Sequence, residues 1–211
     1  MKNRITEMLG IDHPVVQGGM MEISRASLTA AVSNAGGLGT LGQRMDFEAW
    51  RNEIVKTKEL TDRPFAVNLP LHIPDLDKRL EAIIDEKVKV VTTAAGNPAR
   101  VMETLKAAGI VVLHVVGTAL QAEKVEQSGV DIIVAEGGES GGMVGKDRVS
   151  TVVLVPEVSG KVKVPVVAAG GLADARGLVA ALALGAERVQ IGTGFMGAKE
   201  GEVGEEWEQS G

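Results

Sequence analysis

Short runs of β-branched and apolar residues alternate with longer, amphipathic segments along almost the whole chain. Eight runs have the length and composition of strands: 14–18, 38–42, 65–69, 88–94, 110–116, 131–136, 165–170 and 188–193. Between them, segments with apolar residues spaced about 3.6 apart predict helices: 24–36, 46–60, 74–87, 97–109, 118–129, 150–162 and 173–185. Three of these end at Gly36, Gly109 and Gly129, as helix C-termini prefer.

This alternation predicts parallel strands that are joined by right-handed crossovers. Eight units close more naturally into a (β/α)8 barrel, or TIM barrel, than into an open doubly wound sheet, so we predict the α/β barrel class. A length of 211 residues fits a single domain over residues 1–211. The tail from about residue 198 is expected to be either a short closing helix or a frayed end.

Composition narrows the classes of partner. Net charge is −6 and aromatic residues make up only 2%, which disfavours nucleic acid as a partner. The absence of cysteine excludes thiolate chemistry and iron–sulfur ligation, and we predict no metal site. No apolar run approaches about 18 residues and no signal-peptide core is evident, so we expect no membrane partner and a cytoplasmic protein.

Candidate chemistry lies where the predicted strands end, because barrel enzymes build their sites at the C-terminal face. The loops after strands seven and eight carry Gly170, Gly171, Gly192 and Thr193. Together with a helix that Asp174 is placed to cap, they predict a phosphate pocket made mostly of backbone amides. The alternative is that these glycines only permit tight turns. Strand four would contribute Thr93 and Gly96 by the same rule.

An ordered set of motifs resembles a known family. They are QGGM, AVSNAGGLGTLG, PFAVNLPL, VVTTAAGNP, AEGGESGG and VPVVAAGGLADARGLVAALALGAERVQIGT. From about residue 3 to residue 200, the chain resembles the nitronate monooxygenases, formerly called 2-nitropropane dioxygenases. The same family includes the flavin-dependent enoyl-acyl-carrier-protein reductases.

The resemblance implies an FMN site. The residues that it places there are Gly18, Gly19 and Met20 beside the isoalloxazine ring, Asn68 at its pyrimidine edge, Glu136 and Gly142 on the strand-six side, and Gly170, Gly171, Gly192 and Thr193 around the phosphate. Simpler alternatives stay open for three side chains. The alternative is ordinary core for Met20, a satisfied turn residue for Asn68, and a bridge between neighbouring strands for Gln17.

Two departures from the family pattern bear on activity. The family loop that reads AGGH carries a proposed catalytic histidine, whereas this chain reads SGGM and has Met143 there, and a thioether cannot act as a base. Of the histidines, His13 is predicted at the wrong end of the barrel, and His72 in the loop after strand three, from which it could reach inward. His114 is predicted inside strand five, where packing is the commoner role and a catalytic or ligand-contacting role is the alternative. The chain also stops soon after strand eight, where relatives continue with a covering segment.

Three functions follow from the resemblance. The leading one is an FMN-dependent oxidoreductase that oxidises alkyl nitronates with dioxygen, because a nitronate needs no base. The alternatives are an enoyl-acyl-carrier-protein reductase-like enzyme, and a non-catalytic barrel remnant that binds FMN or phosphate. Self-association into a homo-oligomer is a further expectation, and Trp50 and Trp207 are predicted to pack helices.

Overall fold

Eight parallel strands form one sheet in the order β1-β8-β7-β6-β5-β4-β3-β2. The computed structural model describes residues 3–43, 46–142 and 147–201. The strands are β1 (Val15–Gln17), β2 (Gly39–Leu41), β3 (Phe65–Pro70), β4 (Val90–Ala94), β5 (Val111–Val116), β6 (Ile132–Glu136), β7 (Val166–Ala169) and β8 (Arg188–Ile191). The helices are α1 (Arg4–Leu9), α2 (Ala26–Asn34), α3 (Phe47–Leu60), α4 (Leu76–Asp85), α5 (Ala99–Ala107), α6 (Ala119–Gln127), α7 (Thr151–Ser159) and α8 (Ala175–Ala183).

The two ends of this sheet meet, which closes the barrel. A parallel bridge joins Val16 to Leu38, and the Leu38 amide donates to the Val15 carbonyl at 3.0 Å. All eight predicted strands and all seven predicted helices are present. The barrel prediction is therefore confirmed, together with the left-handed glycines at the ends of α2, α5 and α6, where φ is 89°, 71° and 84°.

Strand residues alternate between two apolar layers. One face of each strand packs against the helices, while the other points into the barrel. The inward residues form a separate core of small and branched side chains, among them Val16, Leu38, Ala66, Val90, Leu113, Ile132, Val134, Val167 and Ala169. This alternation fixes which residues at the strand ends can face the mouth of the barrel.

The N-terminal helix α1, which the periodicity does not predict, closes the floor of the barrel. Its Ile5 and Leu9 join the inward core. Asn3 caps it by accepting from the amides of Ile5 and Thr6, and Gly10 ends it at φ 67°. Arg188, fully buried at the start of β8, donates to the Thr6 hydroxyl at 3.3 Å. Helix α1 thus covers the floor of the barrel, the end opposite to the one at which the strands end.

After β8 the described chain forms a short 3-10 turn at Thr193–Phe195, called η1 here, and further turns as far as Gly201. An apolar groove of about 430 Å³ lies between this segment and α2, lined by Leu28, Val32, Phe195 and Ala198 among others. The prediction of a closing helix or a frayed end concerns the tail from about residue 198. Residues from 202 onward, including Trp207, lie outside the described residues.

Candidate active site

Four polar side chains project inward where the strands end, and together they form what we call the mouth layer: Asn68, Thr92, Glu136 and Gln190. Asn68, Thr92 and Glu136 each lie two residues after an inward core residue of the same strand. Gln190 pairs with the inward residue Ala169 of the neighbouring strand. In the strand register Asn68 pairs with Thr92, while Ala169 separates Glu136 from Gln190. The mouth is therefore lined by amides, a hydroxyl and a single carboxyl.

Asn68 is oriented from two sides. Its Oδ1 accepts from the Thr92 hydroxyl at 3.1 Å, while its Nδ2 donates to no other described residue. Gly19 packs directly on it, since a Cβ there would lie 2.8 Å from the Asn68 Cβ. The amide edge of Asn68 is thus held toward the mouth, with a donor available for a ligand.

The loop after β1 is tied down by Gln17, which is fully buried on the outer face. Its Oε1 accepts from the Thr40 amide at 3.0 Å, and its Nε2 donates to the Ser24 hydroxyl at 2.7 Å. Ser24 in turn accepts from the Met20 amide at 2.9 Å. The interpretation of Gln17 as a bridge between neighbouring strands is confirmed, and Met20 is half-buried rather than core.

Backbone amides collect at the loops after β7 and β8. Gly170 and Gly171 have φ values of 100° and 68°, which only glycine adopts without strain. Within the described residues, the amides of Gly171, Gly192 and Thr193 donate to no backbone acceptor. Asp174 caps α8 as predicted, accepting from the amides of Arg176 and Gly177. These free donors suit an anion such as phosphate.

The loop after β6 is anchored by an acid–hydroxyl contact that sequence reasoning missed. Glu139 accepts from the Thr151 amide at 2.9 Å, and the Thr151 hydroxyl also lies 2.9 Å from the Gly170 carbonyl oxygen. Burial raises the pKa of Glu139, but the hydrogen bonds from Thr151 outweigh that effect and leave this pKa below its ordinary value. The contact joins the loops after β6 and β7. Gly142 is exposed at φ 82°, and Met143 lies outside the described residues.

Glu136 differs electrostatically from the rest of the mouth layer. Burial raises the pKa of its carboxyl from 4.5 to about 7, and the neighbouring Ser140 offsets that rise only in part. Among the described residues, no lysine, arginine or histidine occupies an inward position at this end of the strands; Arg188 is at the floor. Glu136 is therefore close to half-protonated at neutral pH, while the other three members of the mouth layer are uncharged.

His114 lies on the helix-facing side of β5 rather than with the mouth layer. Its neighbours Val112 and Val116 belong to the outer core, whereas Leu113 points inward. The His114 Nδ1 lies 2.7 Å from the Thr93 hydroxyl, and burial lowers the pKa of the imidazole from 6.5 to about 4. The structure places Thr93 and His114 together beneath a groove of about 440 Å³ beside α6. It does not bring them to the mouth of the barrel.

Because the folded chain holds His114 neutral, acid should destabilise it. The unfolded state takes up a proton below pH 6.5 while the folded state resists until about pH 4, so this stabilising contribution is lost as pH falls through that interval. His114→Asn, which keeps an acceptor for Thr93, should lessen the loss of unfolding free energy between pH 6.5 and 4 by up to about 1.4 kcal/mol per pH unit. Urea unfolding of both proteins at several pH values measures it.

His72→Asn, a change at an exposed loop residue, is the matched control and should keep the wild-type dependence. An identical pH slope in the wild type and in His114→Asn would contradict a neutral buried imidazole.

The other predicted residues fall as follows. His72 is exposed beyond β3, and His13 lies before β1 at the opposite end from the mouth. Trp50 packs α3 as predicted, fully buried with the Arg79 guanidinium over its ring. Within the described part of the chain, no group of three or more metal-ligating side chains comes together.

Comparison of the sequence with known proteins identifies the family of this chain. The sequence model of nitronate monooxygenase matches residues 2–79 and 72–209. The chain belongs to the nitronate monooxygenase family. Nitronate monooxygenase from Paraburkholderia phytofirmans is 35% identical to it over 251 residues, covering 97% of this chain and 69% of the relative. The family resemblance read from the motifs is confirmed.

Two relatives are more similar in sequence. One is (3aS,4S,5R,7aS)-5-hydroxy-7a-methyl-1-oxo-octahydro-1H-indene-4-carboxyl-CoA dehydrogenase from Rhodococcus jostii, 43% identical over 96% of this chain and 57% of the relative. The other is the solved structure of FabK from Thermotoga maritima, with 45% identity and a TM-score of 0.95 over 99% of this chain and 67% of that one. This chain thus spans somewhat over half the length of its first curated relative.

A search for membrane spans among the described residues found no helix with the length and hydropathy to cross a bilayer.

Proposed function

We propose that this chain is the FMN-binding barrel of an oxidoreductase. The observation that carries the proposal is the mouth itself, where free backbone amides lie beside a polar layer in which Glu136 is the one ionisable side chain among the described residues. Gly171, Gly192 and Thr193 would hold the phosphate, Gly18, Gly19 and Met20 would border the ring, and Asn68 would donate to its pyrimidine edge. Gly142 and Glu136 would border it on the β6 side. FMN would supply two-electron redox chemistry at this position.

The residues fit such a group on two independent counts. The phosphate end offers the unpaired amides of Gly171, Gly192 and Thr193 beside a turn at Gly170 and Gly171, whose φ values are positive, and such a cluster of amides suits an anion. At the ring end, Gly18 and Gly19 have no side chains, so a flat ring can approach their backbone closely. Their neighbours there are the side chains of Gln190 and Asn68. The simpler alternative is that these glycines only permit tight turns. That alternative leaves the amides of Gly171, Gly192 and Thr193 unpaired.

For the substrate, we propose an acyl thioester. A nitronate is an anion, and the described mouth offers it no cationic side chain, while Glu136 adds partial negative charge. A thioester is uncharged at its reacting carbons and suits this surface better. The relative from Rhodococcus jostii, named as a carboxyl-CoA dehydrogenase, supports this choice at 43% identity.

Oxidation of alkyl nitronates with dioxygen is the second candidate. It is favoured by the family match and by the Paraburkholderia phytofirmans relative. Because a nitronate is already deprotonated, this reaction would tolerate methionine at position 143. Relative turnover of an alkyl nitronate and an acyl-CoA decides between the two candidates.

We also propose that the chain self-associates. Large apolar side chains are exposed in the first turns of α6 and α7 and on α8, near the rim of the mouth: Leu120 at 61%, Val152 at 65%, Val153 at 49% and Val179 at 65%. Exposed apolar side chains of this size favour an interface.

Titration of the purified chain with FMN, followed by flavin fluorescence, tests the binding proposal. We expect saturable binding, with inorganic phosphate as a competitor. Oxygen uptake with a propyl nitronate, and reduction of a dye with a saturated acyl-CoA, then compare the substrates; faster turnover of the thioester is expected. A chain that does not bind FMN overturns the proposed function, whereas FMN binding with nitronate turnover alone replaces the lead substrate by the second candidate.

A further inference from the structure

We infer that Glu136 is the proton-transfer residue of this site, taking over the role that the family motif gives to a histidine at position 143. The inference rests on the proposed function. It concerns a residue that the family resemblance places only as a contact of the cofactor.

Geometry singles out this carboxyl. Glu136 ends β6, and its side chain continues the inward series of Ile132 and Val134 into the mouth. It is half-buried, so it is shielded by protein and still reachable by a ligand. Among the described residues, it is the one ionisable side chain in the mouth layer.

Its surroundings leave it free to gain and lose a proton. The groups on neighbouring inward positions are uncharged: Asn68 on β3, Thr92 on β4, Val115 on β5, Ala169 on β7 and Gln190 on β8. The nearby acid Glu139 is engaged by Thr151. A group with a pKa of about 7 can both accept and donate a proton at neutral pH, which is the value that favours general acid–base catalysis.

The step balances for a thioester. During oxidation, the α-carbon loses a proton to the Glu136 carboxylate, and a hydride leaves the β-carbon for the flavin, which is thereby reduced. A carbon–carbon double bond forms between the α and β carbons. In the reverse direction, the β-carbon would take the hydride back from reduced FMN while the Glu136 carboxylic acid returns the proton to the α-carbon, and solvent would then reprotonate the carboxylate.

Glu136→Gln tests the role, because it keeps size and polarity while removing the titration. In the FMN-loaded protein we expect kcat with an acyl-CoA to fall about 100-fold or more. The wild-type rise of the oxidation rate through about pH 7 should disappear, while KM and FMN affinity change little. Glu103→Gln, the same change at an exposed site on α5, is the control and should behave as the wild type.

A second readout needs no turnover. Carboxyl ¹³C NMR of glutamate-labelled chain, with the Glu136 signal assigned by its loss in Glu136→Gln, should show titration near pH 7. The folded chain keeps a proton that the unfolded chain releases above pH 4.5, so wild-type stability should decline between pH 4.5 and 7 relative to Glu136→Gln.

The outcomes separate the two proposals. Titration of Glu136 near pH 4.5, or full activity of Glu136→Gln with FMN bound, overturns the proton-transfer role and leaves the proposed function standing. A wild-type chain that binds no FMN overturns both together. Loss of both the pH 7 limb and most of kcat, with FMN binding intact, supports both.

Discussion

Replacing Gly137 with alanine is expected to destabilise the folded chain by about 3 kcal/mol or more. A Cβ at this position would lie 2.1 Å from the Thr151 hydroxyl oxygen and 2.4 Å from the Thr151 amide nitrogen. Thr151 is buried at the start of α7, and its hydroxyl is fixed by Glu139 and by the Gly170 carbonyl. The backbone therefore has to move, and overpacking of this kind costs about 1–3 kcal/mol or, occasionally, more.

The same substitution should weaken FMN binding, because Thr151 joins the loops after β6 and β7 that border the proposed site. Gly141→Ala is the matched control in the same loop: no atom lies within 4 Å of its added Cβ, and its φ is not in the left-handed region. That variant should be as stable as the wild type or slightly more so. Urea unfolding gives the free energies, and equal values for the two variants would contradict the close contact at Gly137.

The barrel could be predicted from the sequence because its local signals agree. Runs such as IVVLHVV are too short and too β-branched for helices, and Gly36 and Gly109 mark where helices end. The six residues of α1 were missed because so short a helix shows no 3.6-residue period. Its signal was the capping pair Asn3 and Thr6, with Gly10 at the other end.

The site was less predictable, because it depends on which face of a strand each residue occupies. The rule that sites form at strand ends identified Asn68 and Glu136 but could not separate Thr92 from Thr93. One faces the mouth, whereas the other contacts His114 on the helix side. Gln190, inside the motif QIGT, carries no separate signal for the same reason.

Contacts between distant loops were also out of reach. Glu139 and Thr151 are separated by 12 residues, and no local pattern predicts that they meet. The raised pKa of Glu136 likewise depends on burial in the closed barrel, which the sequence of one strand does not contain.

Thr193→Glu is expected to weaken FMN binding about 100-fold while leaving the fold intact. Thr193 is exposed at the start of η1, next to the free amides of Gly192 and of its own backbone. A carboxylate there would repel the phosphate dianion and remove a hydroxyl donor. A hydrogen bond to a charged group contributes about 1.5–3 kcal/mol. Each 1.4 kcal/mol corresponds to about a tenfold change in affinity. The free energy of unfolding should change by less than about 0.5 kcal/mol, as for other exposed substitutions.

Thr104→Glu, which adds the same charge on the exposed face of α5, should bind FMN as the wild type does. Equal FMN affinity for both variants would place the phosphate elsewhere and leave the amides after β7 and β8 as turn structure alone.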